Sequence, residues 1–136
     1  MTEPVPEIAH IYLATIVTVE LDGVWHAAHE VAAKLGALHV ITAWNPADER
    51  PTRETNDRAN DALHADLFSR KLAPLRALGR DPNSSHAEES WAVCDFNDHD
   101  ARELGAKYGQ VAVFRITSAT QTVLACFATW TVEREV

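Results

Sequence analysis

The side chains best suited to chemistry in this chain gather at three places. Thr42-Ala43-Trp44-Asn45-Pro46 sets a hydroxyl, an indole and an amide just beyond an apolar run. His86-Ala87-Glu88-Glu89-Ser90 offers an imidazole, two carboxylates and a hydroxyl, and Tyr108-Gly109-Gln110 ends on another amide. Where a strand starts in the second segment, side-chain alternation sends Glu88 and Ser90 to one face and Glu89 and Trp91 to the other. One glutamate then faces inward, where it could act as a general base or hold a ligand hydroxyl or amine. The same carboxylate could instead bond the backbone of a neighbouring loop, because buried acids need such partners. Trp44-Asn45-Pro46 also reads two ways. Ends of central strands in α/β sheets are where ligands sit, but Asn-Pro is an ordinary turn in which Asn45 bonds its own backbone.

Other chemistries find little support. His26 and His29 stand three apart beside Glu30, but there is no His-Glu-x-x-His and no Cys-x-x-Cys among seven histidines and two cysteines. No metal and no cofactor is expected. The five glycines form no phosphate-binding loop, dinucleotide turn or nucleophile elbow. Cys94 and Cys126 lie in apolar segments, as small buried thiols do.

These groups need a scaffold. Ile8, Ile11 and Tyr12 are spaced for one face of a short helix over Glu7 to Leu13, followed by a β-branched strand from Thr15 to Val19. After the turn Asp22-Gly23, the spacing of Trp25, Ala28, Val31, Ala32 and Leu35 predicts a helix closed by Gly36. Ala37 to Ala43 is apolar and short, the mark of a strand buried on both faces. Asn45-Pro46 ends it, and Ala47 to Arg53 is a loop. A helix from about Thr55, as N-cap, to Lys71 follows, then a short edge strand near Pro74 and a turn-rich loop from Gly79 to Ser85. Ser90 to Phe96 is a strand and Asp98 to Lys107 a helix. Gln110 to Thr117 and Thr122 to Glu133 form a closing hairpin. The expected fold is α/β (α+β): one domain over residues 1–136 with a flexible segment 1–6, a single mixed sheet of about five to six strands, helices packed on it, and a C-terminal β-hairpin.

With 136 residues, 46% of them hydrophobic, the chain can close a core without metals or disulfides. Its formal charge of −8 repels phosphate backbones, so nucleic acid and anionic membranes are not expected partners. No apolar run approaches the roughly 20 residues that span a bilayer, and the N-terminus lacks a signal-peptide layout, so a cytoplasmic protein is expected.

Three blocks in order carry a family resemblance: Ile41-Thr42-Ala43-Trp44-Asn45-Pro46 with Asn56 and Asn60; Gly79-Arg80-Asp81-Pro82 followed by Glu88-Glu89-Ser90; and Leu104-Gly105 with Tyr108-Gly109-Gln110-Val111-Ala112-Val113-Phe114. They resemble the bacterial domain of unknown function DUF3293, from about the first strand to the Gln110 strand. The chain departs from that pattern at His86 and Tyr108, near which the family carries a tryptophan and a phenylalanine. The resemblance brings no activity, but it implies that Thr42, Trp44, Asn45, Asn56, Glu88, Ser90 and Gln110 form one constellation. The reading that follows is a pocket for a small nucleobase-like or amino ligand. In it Asn45, Asn56 and Gln110 supply amides, Trp44 a stacking face, and Glu88 charge or a general base. The alternatives are an acidic module docking a basic partner protein and a small hydrolase or deglycosylase acting through Glu88.

Overall fold

The computed structural model describes residues 4–46 and 49–136. The expectations of a flexible start and of a loop after Pro46 therefore fall partly on residues 1–3 and 47–48, outside the described residues. The chain runs α1 (Ile8–Leu13), β1 (Ile16–Leu21), β2 (Val24–Ala27), α2 (Ala28–Leu35), β3 (Leu38–Ile41), α3 (Arg53–Ser69), β4 (Leu75–Arg80), β5 (Ala87–Val93), α4 (Asp98–Lys107), β6 (Ala112–Ile116), β7 (Thr120–Ala125) and β8 (Thr131–Glu135). All eight strands join one sheet in the order β2-β1-β4-β5-β3-β6-β7-β8.

The expected α/β class with helices on a single sheet holds, and the sheet itself needs correcting. It has eight strands rather than five or six. Every neighbouring pair is antiparallel, so the sheet is not mixed. One unexpected strand is β2, which lies where helical spacing predicts the start of a helix at Trp25. Asp22 and Gly23 both take positive φ, 54° and 80°. That geometry matches the right-handed twist of a two-residue hairpin, and it folds Val24 back opposite Leu21. The helix therefore begins at Ala28, and His26 and His29 sit on different elements. Another unexpected strand is β8. The expected strand Thr122 to Glu133 breaks after Ala125, so the C-terminal hairpin β6–β7 continues as a three-stranded meander.

Burial explains the layering. All four residues of β3 are buried, as expected of a strand covered on both faces. On one face, Val17, Val19, Leu38, Val40, Ala77, Ala92 and Ile116 pack against Ala28, Val31 and Ala32 of α2. On the other, Ile41, Ala43, Val93, Val113 and Leu124 meet Leu63 and Leu67 of α3 and Ala101 and Leu104 of α4. Helix α1 buries Ala9 against Val123, Ala125 and Trp130. Its C-terminal Leu13 carbonyl accepts from Arg134 Nε at 2.7 Å and from Gln121 Nε2 at 3.4 Å, and Gln121 Nε2 also donates to Thr15 O, just beyond the helix, at 2.9 Å. Cationic and amide donors there satisfy the free carbonyls of a helix end. The N-cap of α3 is Thr52, not Thr55; its hydroxyl accepts the Thr55 N–H at 3.2 Å. Asn97 caps α4 in the same way through Asp100 N–H, at 2.8 Å. Among the described residues no helix is long and apolar enough to cross a membrane.

Candidate functional site

At the end of β3 the backbone turns sharply, and a web of buried amides holds the turn. Asn45 has φ of 49°, a left-handed conformation that asparagine adopts more readily than most residues. Its N–H donates to Asn56 Oδ1 at 3.0 Å, and Asn56 Nδ2 donates back to Asn45 Oδ1 at 3.0 Å. Asn60, one helical turn further along α3, accepts the Ala43 N–H at 3.2 Å through Oδ1, while its backbone carbonyl accepts the Trp91 indole N–H at 2.9 Å. Gly109 fits against the turn from the other side. Its φ is +72°, and an added Cβ would lie 2.8 Å from Pro46 Cβ, so both conformation and space call for glycine.

This web aims one carboxylate. Asn45 Nδ2 donates to Glu88 Oε2 at 2.7 Å, and His86 Nε2 lies 3.3 Å from the same oxygen. Glu88 and Ser90 face one side of β5. Glu89 faces the other and pairs with Arg53 of α3, as alternation requires. On the Glu88 side lies a cavity of about 300 Å³. Its floor is the sheet, with Val40, Thr42, Ser90, Glu88, Gln110 and Phe114, and Ile8, Ile11 and Tyr12 of α1 form a wall. Asp81, Arg50 and His86 also line it, with Arg50 Nη1 2.7 Å from His86 Nδ1.

The constellation implied by the resemblance thus divides. Thr42, Glu88, Ser90 and Gln110 line the cavity, whereas Trp44, Asn45 and Asn56 stand behind it. The amides of Asn45 and Asn56 are engaged with each other and with Glu88. Trp44 is buried under the Arg53 guanidinium, which sits 5.3 Å from its ring centroid, and its indole nitrogen has no partner among the described residues. Arg50, Asp81 and the α1 wall were not named as site residues from the sequence. The wall did leave a signal: Ile8, Ile11 and Tyr12 share one face of a short helix, and such a face must cover something.

Other reactive groups lie elsewhere. Burial pushes the Cys126 thiol up to about 12, and Cys94 is also raised by burial, with Asp95 adding to it, so neither is an activated nucleophile. Asp66 accepts from Lys107 Nζ at 2.6 Å, Arg70 Nε at 3.2 Å and Tyr108 OH at 3.3 Å. Burial alone would raise its carboxyl, but the bonds from Lys107 and Arg70 prevail and hold it below the ordinary value. This cluster ties α3 to α4 on the far side of the sheet. His99, Asp100 and Glu103 are near one another on α4, two of them exposed.

A family model described as a protein of unknown function (DUF3293) matches residues 41–113, just over half the chain. The matched span runs from the end of β3 to the start of β6, and so holds the whole amide web and the polar floor of the cavity. No curated protein and no solved structure matches the chain.

Proposed function

The chain belongs to the DUF3293 family, whose description carries no activity, and from the cavity itself we propose that the protein binds a small molecule with an apolar body and a polar head, of nucleobase or amino type. Glu88 is the anchor. Its carboxylate reaches the cavity held by Asn45 at 2.7 Å, and one of its oxygens, Oε1, has no protein donor among the described residues. That observation carries the reading, because a charged group placed in a concavity with one oxygen unpaired is suited to a partner that arrives from outside. A volume of about 300 Å³ suits a single-ring compound. Val40, Phe114 and the α1 wall supply apolar surface for its body. Asn45 and Asn56 act in this reading as positioning residues that fix the carboxylate, and Trp44 as a core residue.

Native mass spectrometry of the purified chain, followed by thermal-shift screening of nucleosides and small amines, tests the proposal. A bound compound, or a stabilising hit lost in Glu88→Gln while the unliganded variant melts close to the parent, is the expected result. If Glu88→Gln alone lowers the melting temperature steeply, Glu88 serves the fold and the proposal fails.

A further inference from the structure

The hydrogens on the cavity floor are already spent on the protein. Thr42 Oγ1 donates its only hydrogen to Glu89 O at 2.7 Å, and the same oxygen accepts the Trp44 N–H at 3.0 Å. Ser90 Oγ donates to Glu88 O at 3.2 Å. Gln110 Nε2 donates to two carbonyls, Trp44 O at 3.0 Å and Tyr108 O at 3.3 Å. Those two carbonyls fix which way the amide faces, and leave Gln110 Oε1 without a donor among the described residues. Glu88 Oε2 takes the bond from Asn45, with His86 Nε2 3.3 Å away, and Oε1 has no donor among the described residues. Hydroxyl oxygens that have given their hydrogen, amide carbonyls and carboxylates can only accept. Among the described residues the polar floor therefore presents lone pairs alone.

A ligand acceptor brought against that floor would lose its water and gain no partner, which is costly in a concave site. A ligand donor would be satisfied. On the reading that the cavity binds a small molecule, we infer that the ligand's head group is a primary ammonium, seated on Glu88 with Thr42, Ser90 and Gln110 around it. An ammonium has three donors and no acceptor, so it matches a floor of acceptors without leaving an atom unpaired. A nucleobase edge carries acceptors beside its donors and would leave some facing lone pairs. The hydrocarbon body of the amine lies along Val40, Phe114 and the α1 wall. Donors lie around that floor rather than in it: Arg50 and His86 are packed against each other, with Arg50 exposed, and Tyr12 and Thr15 carry hydroxyls, which accept as well as donate. Asp81 adds a second carboxylate to the lining, and the net charge of −8 draws cations toward the protein.

Three probes sharing one phenyl-alkyl skeleton test the inference: 2-phenylethylamine, 2-phenylethanol and 3-phenylpropionate. Each is titrated to its solubility limit into the full chain, with amide chemical shifts as the readout. The amine should bind tightest and shift the amides of Thr42, Ser90 and Gln110, the alcohol should bind at least about tenfold more weakly, and the carboxylate should leave the cavity amides unmoved. Glu88→Gln should remove at least about tenfold of the amine's affinity and leave the alcohol's unchanged. If the carboxylate matches the amine, or if the variant keeps the amine's preference, the ammonium assignment is overturned while the cavity stands as a binding site. If no probe moves a cavity amide, the binding reading falls and the assignment with it.

Discussion

Asn56→Ala probes the web that aims Glu88. Both side chains concerned are nearly sealed from solvent, with Asn56 4% and Asn45 8% exposed. The substitution removes the acceptor of the Asn45 N–H and the donor to Asn45 Oδ1, two bonds of 3.0 Å. A buried polar group left without a partner costs about 1–3 kcal/mol, so two of them should cost about 2–6 kcal/mol, and a water admitted into the vacated space would bring the loss toward the lower figure. A domain of this kind has about 5–15 kcal/mol in all, so the melting temperature should fall by about 6–20 °C. Urea unfolding followed by far-UV circular dichroism measures the loss. Asn56→Asp keeps the acceptor but sets a buried carboxylate oxygen against Asn45 Oδ1, so at neutral pH it should lose at least as much as the alanine variant. In a double-mutant cycle Asn45→Ala and Asn56→Ala should couple by about 1–3 kcal/mol, because each orphans the other. A loss below about 1 kcal/mol with an unchanged m-value, or strict additivity in the cycle, would refute the view that these amides secure the strand tip.

Two further outcomes follow from local geometry. Gly109→Ala meets both a left-handed backbone and a Cβ contact of 2.8 Å with Pro46, whereas Gly23→Ala, with φ of +80°, meets open space. The first should cost about 2–4 kcal/mol and the second about 1–2 kcal/mol, so equal losses in parallel denaturation curves would remove the Pro46 contact from the account. For Asp66, a carboxyl held below its ordinary value of 3.8 stabilises the fold above that pH, and the contribution is lost as pH falls through the lowered value. Stability measured from about pH 6 down to pH 2 should show the gap between the parent and Asp66→Asn closing toward the acid end, and a constant gap would contradict the Lys107 and Arg70 attribution.

What could be read from the sequence was local. Strand β3 is legible because seven apolar or near-apolar residues in a row are too short for a helix and too uniform for a half-exposed strand. Helix α4 is legible because Gly109 follows its end, and the structure adds Asn97 as its N-cap. Alternation alone sorts Glu88 and Ser90 from Glu89 and Trp91. The start of α2 was misplaced because Trp25 fits a helical period by coincidence, while Asp22-Gly23 dictates a hairpin through two left-handed residues. The antiparallel order was not legible, since it depends on β4 and β5 inserting between β1 and β3, pairings far apart along the chain. The roles of Asn45, Asn56 and Trp44 were also beyond reach. A buried amide and a ligand-facing amide look alike in sequence, and only the partners of each atom distinguish them.

Those partners also account for why the three sequence blocks occur together. Asn45 from the first block bonds Glu88 from the second at 2.7 Å, and Gln110 from the third bonds the carbonyl of Trp44 in the first at 3.0 Å. Gly109 leaves room for Pro46. No one block makes a site: without Asn45 the Glu88 carboxylate loses its closest donor, and without Gln110 the Trp44 carbonyl loses its partner. The same bonds consume the donors of Thr42 and Gln110, so holding the turn together is what leaves the cavity floor with acceptors only. The fold at the tip of β3 and the ligand chemistry proposed for the cavity thus rest on one set of hydrogen bonds. A substitution that frees a donor there, such as Thr42→Val acting through the released Trp44 N–H, changes the turn and the floor together.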